Sequence, residues 1–112
     1  MLSLLRHLAD KAAGRIPLDA PRRSSQWPKV ERAFLVENPC CKVCDSRKYL
    51  NVHHIFPYHL FPEKELITTN LITLCRAHHE LFGHLDDWKA YNPTVQEDSE
   101  LWNKKIKERK YD

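Results

Sequence analysis

Two short ligand pairs, Cys41-x-x-Cys44 and Cys75-x-x-His78, constrain this chain more than any other feature. Zinc favours four soft or borderline donors in a tetrahedron, and C-x-x-C brings two thiolates together on one turn. Cys75 and His78 lie three apart at the start of a predicted helix, so they share a face. Together Cys41, Cys44, Cys75 and His78 form a Cys₃His set, closed and therefore structural. Cys40 can replace Cys41 in a C-x₃-C pair with Cys44, but the x₂ spacing is the commoner one; Cys40 is then an extra thiol, buried or at the surface. The stretch from Pro39 to His84 holds all four cysteines and six of the seven histidines. At 112 residues the chain supports one small core, and a metal would supply much of its folding free energy.

Composition narrows the classes. Hydrophobic residues at 42% and charged residues at 29% describe an ordinary soluble chain rather than a disordered one. The net charge of +3 is weak, but its distribution is uneven. Basic residues gather at Arg22, Arg23, Lys29, Arg32, Lys42, Arg47 and Lys48, and again from Lys104 to Lys110, with an acidic zone between them at Asp86, Asp87, Glu97, Asp98 and Glu100. Such zoning can present a positive surface to phosphates, although the C-terminal run also fits a solvated helix face. No stretch is long and apolar enough to span a membrane. The opening MLSLLRHLADKAAG carries Arg6, His7, Asp10 and Lys11 and makes a poor signal peptide. A cytoplasmic location is expected, where thiols stay reduced and cysteines favour metal over disulfides.

Periodicity predicts an amphipathic helix over Leu2–Ala13, stopped by Gly14, and an extended linker with Pro17 and Pro21. A second helix should follow Ser25 as cap, with Pro28 in its first turn, Val30, Phe34 and Leu35 on its buried face and Trp27 anchoring its start. Residues 49–56, YLNVHHIF, have strand character; 57–69 read as a loop, 71–74 as a buried strand and 76–85 as a helix ended near Gly83. A last helix over 97–110 should bury Leu101 or Trp102 together with Ile106. The expected organisation is an N-terminal helix and linker (1–25), a central domain (26–92) and a C-terminal basic helix (93–112).

With four ligands assigned, His53, His54 and His79 remain. His79 follows His78 directly, and adjacent helical positions point about 100° apart, so one can face the clasp and the other a second cleft. His53 and His54 are neighbours on a strand and must face opposite sides, unless a strand end or a bulge intervenes.

The order C-x-x-C, V-H-H-I-x-P, N-L-I-T-L-C-x-x-H-H resembles the HNH endonucleases, over Cys41 to about His84 and more loosely over the lead-in WPKVERAFLVENPC. The resemblance implies an α+β domain of the ββα-metal (His-Me finger) type, with a structural zinc knuckle and flanking helices, hydrolysing phosphodiester bonds in DNA. It implies His54 as general base, His53 and His79 as ligands of a catalytic metal, and Asn70 as the residue that steadies the loop and the base. Many family members have aspartate where this chain has His53; the histidine form is similar to the nuclease colicins, and the catalytic ion is left among Mg²⁺, Mn²⁺, Ni²⁺ and Zn²⁺. Those colicins place a further histidine where this chain has Gly83. His84 coordinates if Gly83 breaks the helix, whereas a continuous helix turns it away. Arg22, Arg23, Arg47, Lys48 and Arg76 are the expected phosphate contacts, and His59 a surface or substrate-contacting residue. A zinc-stabilised nucleic-acid-binding module without hydrolysis is the competing reading. No motif names a protein partner or an oligomeric state.

Overall fold

A computed structural model describes residues 23–111; the predicted helix over Leu2–Ala13, the linker up to Arg22, and Arg22 itself as a phosphate contact lie outside them. The described chain opens on helix α1, Trp27–Glu37, with Pro28 in its first turn. The cap position is Gln26 rather than Ser25. Ser24 does the local work instead: its carbonyl accepts the Trp27 N–H at 3.1 Å and its hydroxyl accepts the Gln26 N–H at 3.1 Å. Asn38 ends the helix by donating both its backbone N–H and its side-chain amide to the Phe34 carbonyl. Trp27 is the buried residue of α1, while Val30, Phe34 and Leu35 are only half covered.

The knuckle follows. Asp45 donates its N–H to the Cys41 carbonyl at 2.9 Å, and Cys41 donates to the Ser46 carbonyl at 2.8 Å. Asp45 adopts a left-handed φ of 61°, which aspartate tolerates better than most residues. Lys42 N–H to the Thr73 carbonyl ties the knuckle to the sheet.

That sheet has two antiparallel strands, β1 (Leu50–His54) and β2 (Leu71–Cys75), paired with Leu50 opposite Cys75 and His54 opposite Leu71. β1 is shorter than the run of β-formers in residues 49–56. Tyr49 sits at a left-handed φ of 56°, and past His54 the chain bends. After β2 comes α2, Arg76–His78, continued without a break by a π-helical segment, His79–Gly83. The expected single α-helix is therefore α-helical for only its first turn. The last helix, α3, covers Val95–Lys107, two residues earlier at its start than the sequence suggested.

The core is small. Cys41, Val43, Ile55, Ile72, Leu74, Phe82 and Val95 are buried together, with Leu50, Phe56 and Ile106 packed against them. Val95 and Ser99 form the buried side of α3, and Asn103 donates to the Val43 carbonyl at 3.0 Å. Leu101 and Trp102 are exposed, against expectation, because the buried stripe runs through positions 95, 99, 103 and 106. This is a small α+β domain of ββα type built around a Cys/His cluster.

Candidate active site and metal centres

The clasp forms as the spacing predicts. Cys41, Cys44, Cys75 and His78 bring one donor atom each within 4.8 Å of one another. His78 Nδ1 lies 3.3 Å from Cys75 Sγ and 3.6 Å from Cys41 Sγ, and Cys44 Sγ lies 3.9 Å from Cys75 Sγ. Donors about 2.0–2.3 Å from a tetrahedral ion are about 3.4–3.8 Å apart, so the separations fit one. Electrostatics point the same way. Burial pushes the Cys44 thiol up to about 11, and the neighbouring Cys41 and Cys75 sulfurs push in the same direction. Burial works against the Cys41 thiolate too, but backbone N–H groups of Cys75, Cys44 and Val43 outweigh it and hold its pKa below the usual value. Burial also lowers His78, which favours the neutral imidazole a metal needs. Cys40 stays outside the set, half-buried, as the x₂ spacing favoured.

The second centre is built by His53, His79 and His84, whose donor atoms also converge within 4.8 Å. The three ring centroids form a near-equilateral triangle with 4.9 Å sides. His79 Nε2 is 3.0 Å from His53 Nδ1, a separation that two nitrogens of one coordination sphere would have. His53 Nε2, the other ring nitrogen, is buried against Gly83 with no hydrogen-bond partner. His84 Nδ1 lies 2.8 Å from the Ala90 carbonyl; donating its proton there leaves Nε2 as a lone-pair donor. Burial first, then the neighbouring imidazoles His79 and His84, lowers His53 to about 3; burial and His84 lower His79 to about 4. Both are thus neutral at neutral pH, the form that a metal ion would need.

The π-helical turn settles where His84 points. In an α-helix, positions 79 and 84 are five apart and diverge. The i→i+5 winding over His79–Gly83 widens the turn and returns residue 84 to the side of residue 79. Leu85 and Asp86, at φ of 53° and 62°, then reverse the chain. Asn92, buried and not singled out by sequence, fastens this end: its N–H donates to the Gly83 carbonyl at 3.0 Å and its amide to the Phe82 carbonyl at 3.0 Å and Asp98 at 2.8 Å.

Gly83 is required by close approach. A Cβ there would lie 3.0 Å from Cε1 and Nε2 of His53 and 3.2 Å from Nδ1, and that ring is only 4% exposed. Gly83→Ala is expected to displace the His53 ring and weaken metal binding at the histidine centre about tenfold or more, the equivalent of an overpacking cost of about 1–3 kcal/mol. Calorimetric titration of a divalent ion into clasp-loaded protein checks this; equal affinity in variant and wild type refutes it.

His53 and His54 do leave opposite faces of β1, and no bulge intervenes. Register puts His53 beside Ile72 and His54 beside Leu71, at the last rung of the ladder. His54 meets different partners. Its ring stacks on Trp27 at 4.4 Å between centroids, and its Nε2 lies 2.8 Å from the Glu65 carbonyl. A carbonyl only accepts, so Nε2 carries the proton and Nδ1 keeps a free lone pair. Burial holds the His54 pKa below its usual value, with the Arg23 charge acting in the same direction and the Glu65 carbonyl partly opposing both.

Asn70, the residue expected to steady the loop and the base, is 5% exposed. Its Oδ1 accepts the Phe56 N–H at 2.9 Å, and its Nδ2 donates to the carbonyls of Phe56 and Lys64 at 3.0 and 3.1 Å. It therefore pins the loop at Phe56 and at Lys64, the residue just before the one that holds His54. A cleft of about 980 Å³ between α1, the 67–70 turn and α3 includes none of these histidines, so cavity size does not mark the chemistry here.

The basic residues do not form one patch. Arg23 lies 4.1 Å from the Tyr58 ring centroid and 5.4 Å from Trp27, on the His54 side. Arg47, Lys48 and Arg76 are exposed around the start of β1, where Arg76 donates its N–H to the Tyr49 carbonyl. Five strand residues separate the two zones, roughly 13 Å at the usual rise.

The histidine centre makes an acid-sensitive fold. Unfolded histidines bind protons below about pH 6.5, whereas His53 and His79 resist until about 3 and 4. The stability is fully present above pH 6.5 and is lost as pH falls through that window, by up to about 1.4 kcal/mol per pH unit for each imidazole. Urea midpoints of clasp-loaded protein should drop between pH 6.5 and 4.5, and His53→Phe should flatten that drop.

The architecture and the two donor clusters define a small ββα domain with a Cys₃His cluster that could hold a metal ion and a histidine-rich second centre. A family model described as HNH endonuclease matches residues 40–86. No curated protein and no solved structure matches the chain. No described helix is long and apolar enough to cross a membrane.

Proposed function

We propose that this protein is a metal-dependent endonuclease that hydrolyses phosphodiester bonds in DNA, with His54 as general base. The observation that carries the reading is the His54 tautomer: Nε2–H is committed to the Glu65 carbonyl, and Nδ1 is left as a proton acceptor on the strand that also supplies His53, from its other face, to the three-histidine cluster. In this reading Cys41, Cys44, Cys75 and His78 hold a structural Zn²⁺, and His53, His79 and His84 hold a divalent catalytic ion. That ion, when bound, supplies Lewis-acid stabilisation of the charge that develops on the phosphate and the leaving oxygen. The chain's own residues do the rest. His54 Nδ1 takes a proton from the attacking water, the Glu65 carbonyl keeps the imidazole pointed, and Asn70 keeps the loop from drifting. Arg23 on the His54 side, and Arg47, Lys48 and Arg76 at the other end of β1, contact flanking phosphates. The three reduced thiols of the clasp suit the cytoplasm.

A plasmid-nicking assay with Mg²⁺, Mn²⁺, Ni²⁺ or Zn²⁺ tests the proposal. Wild-type protein should convert supercoiled DNA in at least one of these ions and His54→Ala should not. If both are equally inert across all four, the nuclease reading fails and a zinc-stabilised nucleic-acid-binding module takes its place.

A further inference from the structure

We propose that Glu65 is the positioning residue for His54, acting as a tie between the segment ahead of α1 and the carbonyl that fixes the imidazole. The proposal rests on His54 as base for its kinetic consequence, but not for its geometry.

Glu65 is only 6% exposed. A buried carboxylate is costly unless hydrogen bonds compensate it. Both of its oxygens lie 3.1 Å from the backbone nitrogen of Ser24, a residue 41 positions away, and accept that N–H between them. The same residue presents its carbonyl to His54 Nε2 at 2.8 Å. Glu65 is thus held at its side chain by the lead-in segment while its main chain holds the histidine. Asn70 fixes the neighbouring Lys64 carbonyl at 3.1 Å but does not reach the 65 peptide itself. The local turn contributes only two long backbone bonds, Glu65 N–H to the Pro62 carbonyl at 3.3 Å and Ile67 N–H to the Lys64 carbonyl at 3.4 Å. The carboxylate anchor adds the long-range constraint on the direction of the 65 carbonyl.

The anchored segment closes over the same ring. Trp27, three residues after Ser24, stacks on His54, and Arg23 covers Tyr58, whose ring lies 6.3 Å from that of His54. Release of the anchor frees the carbonyl and the aromatic cover together. An imidazole without its acceptor can take either tautomer, and the Nδ1–H form cannot accept a proton from water at that nitrogen. A small loss of aim at a reacting group is itself enough to slow a reaction by about 10²-fold.

The test uses the full chain, loaded with clasp metal, as wild type, Glu65→Ala, Glu65→Gln, Ser24→Pro and Ser24→Ala. Ser24→Pro leaves the carboxylate and removes its N–H donor, but also the hydroxyl that accepts the Gln26 N–H, so Ser24→Ala, which loses the hydroxyl alone, is its control. Two-bond ¹⁵N–¹H spectra read which nitrogen of His54 carries the proton, and nicking kinetics give kcat and KM separately. Wild type should show the Nε2–H form alone. Glu65→Ala and Ser24→Pro should show a mixture of tautomers, with kcat about 10–100-fold lower and KM within about twofold of wild type. Glu65→Gln keeps an acceptor for the Ser24 N–H and should recover most of the loss. A pure Nε2–H His54 in folded Glu65→Ala overturns the proposal, as does an unchanged kcat. Where Glu65→Ala fails to fold, Ser24→Pro decides: an unaltered tautomer there sinks the idea. If wild type cleaves no DNA, the nuclease reading is lost, and the spectra still judge the tie.

Discussion

Stripping the clasp metal with a strong zinc chelator is expected to unfold the whole described domain. The core is a handful of side chains around a two-stranded sheet, and one of them, fully buried Cys41, is itself a ligand. Structural zinc in small domains contributes about 10–16 kcal/mol. A complete domain has a net stability of only about 5–15 kcal/mol, so the metal-free chain falls on the unfolded side. Cys41→Ala should act like the chelator, since it removes a thiolate and opens a hole at the centre. Chemical-shift dispersion and far-UV dichroism before and after chelation, with re-addition of Zn²⁺, are the measurements. A metal-free protein that kept its dispersed spectrum would falsify the structural role of the clasp. The histidine centre behaves differently. Its ligands hang from β1 and from the π-helical turn, which the clasp and Asn92 already hold, so His79→Ala should lose its metal and its activity while the domain stays folded.

His54→Ala is expected to lower kcat by about 10²–10⁴-fold, the range that a positioned general base contributes. The substitution also removes the ring that stacks on Trp27, at a cost of about 0.5–1.5 kcal/mol beyond the area lost, and leaves the Glu65 carbonyl without its donor. Activity must therefore be compared at equal folded concentration. Because the proposed base role needs Nδ1, His54→Gln should be as inactive as His54→Ala while keeping more of the stability. A variant that cleaved DNA within tenfold of wild type would move the base to another residue.

This chain shows which kinds of information lie in the linear order of residues. The clasp was legible because metal ligation is a local rule: x₂ spacings put two donors on one turn whatever surrounds them, and both pairs appear as written in the sequence. The two strands and the last helix were legible to within a few residues, since β-branched runs and helical periodicity are local as well. Trp27 was readable as an anchor of α1; its stacking on His54 was not, because that contact joins two elements.

His84 is the most instructive residue. Its phase relative to His79 depends on whether the backbone winds as α or π, and the π winding goes with the close approach of Gly83 to His53 and the bonds that Asn92 makes to Phe82 and Gly83. Glu65 and Asn92 carried no signal at all. In the sequence each is an ordinary polar residue in a loop, and each gains a role only from a backbone group made its neighbour by folding.

The sequence by itself therefore determined the Cys/His donor pairs, the strand-strand-helix order and the resemblance that the family match over residues 40–86 reflects, because spacing along the chain dictates them. Tertiary structure alone decided which nitrogen of His54 is free, that His84 joins His53 and His79, and that a buried carboxylate links Ser24 to the loop. Those outcomes depend on hydrogen bonds and ring contacts between distant segments, and no local propensity encodes the direction of a carbonyl across a fold.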